Sequence, residues 1–424
     1  MTDLCNEQRN PLDPSFYQTC SKSRAGPVNS DIRRIEPTHA DRNLGTQLTS
    51  VSELHYHLIS LSGGGYRAAL YHAGVLRALH AAEFFDRENV IVNSVSGGAI
   101  PAIIWREFTS TQKGRKEETW PETTLLDLVE SSPIVGGRFN WQLLGGWFFA
   151  QNCWRRHIER WWDRHEFTGD VIKESPIFLI EVLDYYSGKF WVFHEKILYI
   201  ANREFFRRHR SWPEISLSPI DALTSATALP GAFTGLRLNG RLFKDAGIAD
   251  NLALLPLLEV LIHNPHGDRL GNVACWFLSN AGKPLSVLSS LDFPPGNSET
   301  VESLGVEDRL LRLTGDLAQP LYVNALAALL EDYAKIKEVG VSIGRPPDDE
   351  ESWLKSSLPK SFRPSSVPTA LISMPKTNAL GIMAEGAQAA SFRLCDYGFM
   401  SVDQRSKLQS FYQEFSEMQL GKSI

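Results

Sequence analysis

Residues Leu58 to Ile100 read LISLSGGGYRAALYHAGVLRALHAAEFFDRENVIVNSVSGGAI, and no other stretch limits the fold as much. An apolar run is stopped by a glycine triplet, an amphipathic stretch follows, and a second apolar run ends in a serine within a glycine turn. Leu58, Ile59 and Leu61 have the apolar density of a buried strand in a parallel sheet. Leu70, Ala73, Gly74, Leu76, Ala78 and Leu79 form a stripe at helical spacing. The pattern predicts one βαβ unit whose helix starts at the glycines.

That placement gives the glycines a chemistry. Without Cβ atoms the backbone of Gly63, Gly64 and Gly65 can approach a ligand closely, and the orphan N–H groups of the first helical turn can hold an anion. Neither GxxxxGK[ST] nor a complete GxGxxG is present, so the nucleotide-phosphate fingerprints are not met. A simple tight turn and an oxyanion hole for acyl transfer remain, and the oxyanion hole is the better reading. The second strand, Val90 to Val95, runs into Ser96, with Ser94 two residues before and Gly98 two residues after. A serine on a sharp strand-to-helix elbow tolerates only small side chains at those positions, so Ser96 is the candidate nucleophile.

The base must come from further along the chain. Ile177 to Asp184 and Lys189 to Phe193 predict a β-hairpin around Tyr185-Tyr186-Ser187-Gly188. A helix is expected over Asp221 to Ala228. A second tight hairpin, Leu236 to Leu238 and Arg241 to Phe243 about Asn239-Gly240, delivers Asp245 to a loop before an apolar helix, Leu252 to Ile262. Two arrangements fit this order. Asp245 takes the serine proton directly, or it orients His263 or His266 as in a Ser-His-Asp esterase or thioesterase. Asp250 is a fallback base.

The remaining segments frame this core. Residues 1–49 are polar and proline-broken and read as an extended or disordered arm; 50–285 hold the catalytic pattern; 286–424 close the domain with mainly helical sequence. Within the core, 105–175 is an insertion in which Trp154, Ile158, Trp161 and Trp162 share one helical face, as a packed cap, a lid or a lipid-touching surface. Val306 to Val339 is largely helical by periodicity, 345–368 reads as a surface connection, and Ala379 to Leu394 and Val402 to Met418 as closing helices.

With 43 Lys+Arg against 49 Asp+Glu the formal net charge is −6, and no basic face points to nucleic acid. The five cysteines are scattered and form no ligand cluster, which fits free thiols in a reducing cytosol. The start lacks the apolar core of a secretory signal, and no run approaches the ~18 apolar residues of a spanning helix, so any membrane contact is expected to be peripheral. Oligomeric state is not legible.

SGGGYR, the SVSGG elbow one βαβ unit later and the downstream DAG before Ala249-Asp250-Asn251 together resemble the patatin-like phospholipase family. The likeness extends to PIFLIEVLDYYSGKFWVF and to LTSATALPGAFTGLRLNGRLFKDAGIADN, covering roughly Leu58 to Ser110 and Pro176 to Asn280. It implies an open α/β three-layer sandwich with a central, mostly parallel sheet, and a helical insertion and helical C-terminal part around it. It also implies a Ser-Asp dyad, Ser96 and Asp245, that hydrolyses acyl esters of lipids at a membrane surface without cofactor or metal. Arg67 matches the family's basic residue after the glycines, implying electrostatic support of a phosphate or of the oxyanion turn. Two departures stand out: Ser94 replaces a usual glycine, and Ala246 falls where glycine is usual. If that position needs a positive φ, alanine would misaim Asp245 and leave a catalytically silent lipid-binding protein.

Overall fold

The computed structural model describes residues 56–87, 89–111, 119–133, 147–167, 176–194, 197–200, 215–229, 233–257, 273–282, 337–342, 352–354, 358, 364, 367, 371 and 373–421; side chains of 147–151, 197–200, 273 and 337–342 are outside the description. The N-terminal arm, His263, His266, most of the apolar helix expected after Leu252 and residues 306–336 lie outside it.

Ten strands form one mixed sheet: β1 (Tyr56–Leu61), β2 (Val90–Val95), β3 (Ile177–Asp184), β4 (Lys189–His194), β5 (Ile197–Ile200), β6 (Ile215–Ser216), β7 (Leu236–Leu238), β8 (Arg241–Asp245), β9 (Val273–Asn280) and β10 (Lys337–Ser342). The order β10-β9-β1-β2-β3 is parallel throughout. Beyond β3 the pairing is antiparallel, through β4, β5 and β6. Both expected hairpins form, and positive φ at Gly188, Asn239 and Gly240 marks their turns. Lys337–Ser342 departs from the expected helix. Its alternating KEVGVS sequence pairs with the buried β9, and that partner overrides the helical periodicity upstream.

One register detail fixes the site. Strand β2 pairs with β3 in parallel up to Val95 opposite Glu181, and β8 pairs with β3 antiparallel from Asp245 opposite Val182. The two strands therefore occupy successive lengths of β3, and their C-terminal ends meet. Whatever follows Val95 lies beside Asp245.

Seven helices complete the description: α1 (Gly65–Ala81), α2 (Ala99–Thr111), α3 (Trp120–Glu130), α4 (Trp147–Arg164), α5 (Pro219–Ala226), α6 (Lys376–Asp396) and α7 (Val402–Gln419). Ser218 caps α5 by accepting the Asp221 N–H, and Ser401 and Gln404 form a reciprocal capping box on α7. One continuous core joins these helices to the sheet face carrying Ile59, Leu61, Val90, Val92, Ile180 and Val182. At its centre α1 and α6 touch through backbone. A Cβ on Gly74 would fall on the Met383 carbonyl, and one on Gly386 on the Tyr71 carbonyl. Arg77 of α1 is buried in a bidentate pair with Glu122 of α3, at 2.7 and 2.5 Å.

The aromatic face of α4 is a packed cap. Trp154, Ile158, Trp161 and Trp162 are buried, and the indoles of Trp154 and Trp161 donate to Thr227 Oγ1 at 2.8 Å and the Thr124 carbonyl at 2.9 Å. The expected surface connection is partly buried as well. Trp353 and Leu354 join the core, with Trp353 near the Tyr412 ring, because an apolar pair in a polar segment finds the face of α7.

Candidate active site

Ser96 follows the last residue of β2 and opens a single 3-10 turn, Ser96–Gly98, that leads straight into α2. Its φ of 52° lies in the left-handed region, which costs a non-glycine residue free energy and persists only where the surroundings impose it. Here the turn is pressed against the start of the βαβ unit. A Cβ on Gly97 would lie 2.7 Å from the Gly65 nitrogen, and one on Gly98 2.7 Å from the Ser62 carbonyl oxygen. The small residue before the elbow also has a task, since the Ser94 hydroxyl donates to the Leu179 carbonyl of β3 at 2.8 Å.

Asp245 ends β8 and is buried at 1% exposure. The Ser96 hydroxyl stands beside this carboxylate and, as a donor, offsets part of the effect of burial on it. Asp245 Oδ1 also accepts the Gly247 N–H at 2.8 Å. Burial pushes the Asp245 pKa up to about 7, and the two donors pull the other way. Ala246 has no positive φ: it is the buried first residue of a 3-10 turn, Ala246–Ile248, so alanine does not misaim the aspartate.

The glycine triplet faces this pair. The Gly63 N–H donates to the Asn251 carbonyl at 2.9 Å, and a Cβ on Gly63 would lie 3.0 Å from that of Ser96. The Gly63 donor is therefore engaged with the aspartate loop, and Gly64 and Gly65 are the members of the triplet left as candidates for the expected oxyanion role. Gly64 (φ 141°) and Gly65 (φ 58°) hold conformations that suit glycine.

Arg67 stands behind the turn. It is 2% exposed and donates from Nε to the Ala281 carbonyl at 3.1 Å and from Nη1 to the Val367 carbonyl at 2.8 Å. This location suits support of the turn and leaves no open face for a substrate phosphate. Beside it, His72 is fully buried between Ser62 and Ser279, at 2.9 Å from the Ser62 carbonyl and 2.9 Å from Ser279 Oγ. Burial lowers its pKa to about 3, so it is a neutral strut.

A polar row on the opposite sheet face holds the aspartate loop. Trp276 Nε1 donates to Ser60 Oγ at 3.0 Å, and Ser60 Oγ donates to the Ala253 carbonyl at 3.2 Å. Asn93 donates to the same carbonyl at 2.9 Å and to Glu181 Oε2 at 3.0 Å. Asp250 is the loop's own brace. Its carboxylate accepts N–H groups from Leu252 to Leu255, with Leu255 at 2.6 Å, so it is not aimed as a base. Glu181 is fully buried, and burial together with the charges of Asp250 and Asp245 holds its pKa well above the carboxylate range. Sequence reasoning missed His72, Ser60, Asn93 and Glu181. A polar side chain inside an otherwise apolar strand or helix face was the signal available. Among the described residues no group of three His, Cys, Asp or Glu could hold a metal ion.

Residues 59–258 match the family model for patatin-like phospholipases. That part of the chain belongs to the patatin-like phospholipase family. The patatin-like domain thus takes in the glycine turn, the elbow, both hairpins and the aspartate loop. No curated protein sequence matches the chain. Human GIVD cytosolic phospholipase A2 in complex with methyl gamma-linolenyl fluorophosphonate is 12% identical, with a TM-score of 0.41 over 85% of this chain and 60% of that one. VipD from Legionella pneumophila is 12% identical, with a TM-score of 0.32 over 81% of this chain and 67% of that one. Likeness at such TM-scores is too loose to carry conclusions, and this chain spans 60% of the human phospholipase chain.

Proposed function

We propose that the chain is a serine lipid acyl hydrolase of phospholipase A type, acting through a Ser96–Asp245 dyad. The observation that carries this reading is the placing of the Ser96 side chain beside a buried carboxylate, both against Gly247, at the meeting point of two strand ends. A triad would put an imidazole between them.

In the proposed cycle Asp245 accepts the Ser96 proton as Oγ attacks the ester carbonyl carbon. The negative charge moves to the carbonyl oxygen, which the N–H groups of Gly64 and Gly65 stabilise, with Arg67 and the neutral His72 holding that turn in place. Collapse breaks the bond to the alcohol oxygen, which takes the proton from Asp245. Water then attacks the acyl-Ser96 carbonyl and gives its proton to Asp245, and the fatty acid leaves as Ser96 is reprotonated. The buried α4 cap leaves the lid and lipid-contact roles of that helix without support.

Turnover of a soluble short-chain ester tests the assignment. Ser96→Ala and Asp245→Asn should each lower kcat by about 10³-fold or more, whereas combined His263→Ala and His266→Ala should retain most of it. Loss of activity in the histidine variant would favour the triad, and full activity in Ser96→Ala would exclude an acyl-serine route.

A further inference from the structure

Burial of Trp154, Trp161 and Trp162 removes the most obvious lipid-facing surface, yet among the described residues other large aromatics, Tyr185 and Tyr186 most of all, are open to solvent. Tyr185 and Tyr186, at the tip of the β3–β4 hairpin, are 48% and 61% exposed. Cations surround them. Lys244 Nζ lies 4.8 Å from the Tyr185 ring centroid, Arg237 donates to the Tyr186 hydroxyl at 3.0 Å, and Lys189 is exposed in the same turn. Arg241 pairs with Asp184 at 2.7 Å, the carboxylate at the base of the tip. Lys189 and Arg237 are exposed at the tip, Lys244 is buried beneath the Tyr185 ring and Arg241 is paired with Asp184, in a chain whose net charge is −6.

The tip is also at the end of the sheet where catalysis is assigned. Asp245 sits opposite Val182, and Tyr185 is three residues further along β3, hydrogen-bonded to the Leu242 carbonyl. At the rise of an extended strand the tip stands about 10 Å beyond the dyad. Tyrosine has an apolar body and a polar end that suit the headgroup layer of a bilayer, and lysine and arginine are drawn to anionic headgroups.

We propose that this hairpin tip is the docking surface of the enzyme for an anionic bilayer, setting the catalytic end of the sheet toward the lipid. The proposal rests on the lipid hydrolase reading and adds where the chain meets its substrate phase. The charge complementarity is local: the overall negative charge would repel such a surface, so the patch must supply the attraction.

Vesicle sedimentation of the full chain carrying Ser96→Ala, which prevents turnover during binding, tests it. Binding should be at least tenfold tighter to phosphatidylcholine vesicles containing phosphatidylserine than to phosphatidylcholine alone. Tyr185→Ser with Tyr186→Ser, and separately Lys189→Glu with Arg237→Glu, should each weaken it about tenfold or more, with melting temperature unchanged. In the Ser96 background those tip variants should hydrolyse a soluble short-chain ester like the parent. Equal binding by the tip variants, or equal binding to both vesicle types, would overturn the proposal, as would loss of soluble-ester turnover along with vesicle binding. A parent that binds anionic vesicles through the tip but hydrolyses no ester would refute the hydrolase reading and leave the docking surface standing.

Discussion

At the scale of single residues, Asp245 couples catalysis to pH. A base must be ionised to accept a proton, and burial pushes this carboxyl up to about 7, so hydrolysis of a soluble ester should rise through a limb near pH 7. The same shift affects folding. Between its unfolded value near 3.8 and about 7, the native state holds a proton that the unfolded chain has released, so this group's contribution to stability falls as pH rises through that window. Asp245→Asn should therefore stabilise the chain at pH 8, by on the order of 4 kcal/mol at most, and hardly at pH 4. Thermal melts at the two pH values check this; an asparagine variant less stable than the parent at pH 8 would show that the buried charge is not a burden. The legibility of the site follows the same physics. Ser96 and the glycines stood out because a left-handed elbow and a tight turn restrict residue type strongly. Spent donors are invisible in a sequence, which is why Gly63 was grouped with its neighbours and Arg67 read as support of either a phosphate or the oxyanion turn.

At the scale of elements, the catalytic turn depends on a helix far away in sequence. The glycine turn begins α1, and α1 is held by α6 at a contact where backbone meets backbone at Gly74 and Gly386. Gly386→Ala would put a methyl group on the Tyr71 carbonyl and force the helices apart, at a cost of about 1–3 kcal/mol. Urea titration should give a lower midpoint with the slope unchanged, and an unchanged midpoint would mean the crossing is looser than described. Periodicity found α1, α6 and α7 because their apolar stripes face a core, and turn chemistry found both hairpins. Periodicity failed at Lys337–Ser342, where pairing with β9 decides the conformation. Pattern alone also could not say which aromatics are covered: Trp154, Trp161 and Trp162 of α4 pack inward, while the tyrosines of the β3–β4 tip stay out.

At the scale of the whole molecule, the proposed nucleophile and base come from the two differently built halves of one sheet. The parallel half brings Ser96 to the end of β2, the antiparallel half brings Asp245 to the end of β8, and β3 belongs to both. The polar row from Trp276 through Ser60 and Asn93 to Glu181 crosses the parallel half and fixes the loop that follows Asp245. Such an arrangement needs no third catalytic side chain, since strand register alone sets the serine beside its base. The most direct measurement of that claim is the rate at which a fluorophosphonate labels Ser96, followed by intact mass as a function of pH. The dyad predicts one adduct, on Ser96, with a rate that climbs through a limb near pH 7, is about 10³-fold slower and nearly flat in Asp245→Asn, and is unchanged when His263 and His266 are replaced. Labelling of Asp245→Asn at the parent rate, or its loss in the histidine variant, would contradict it.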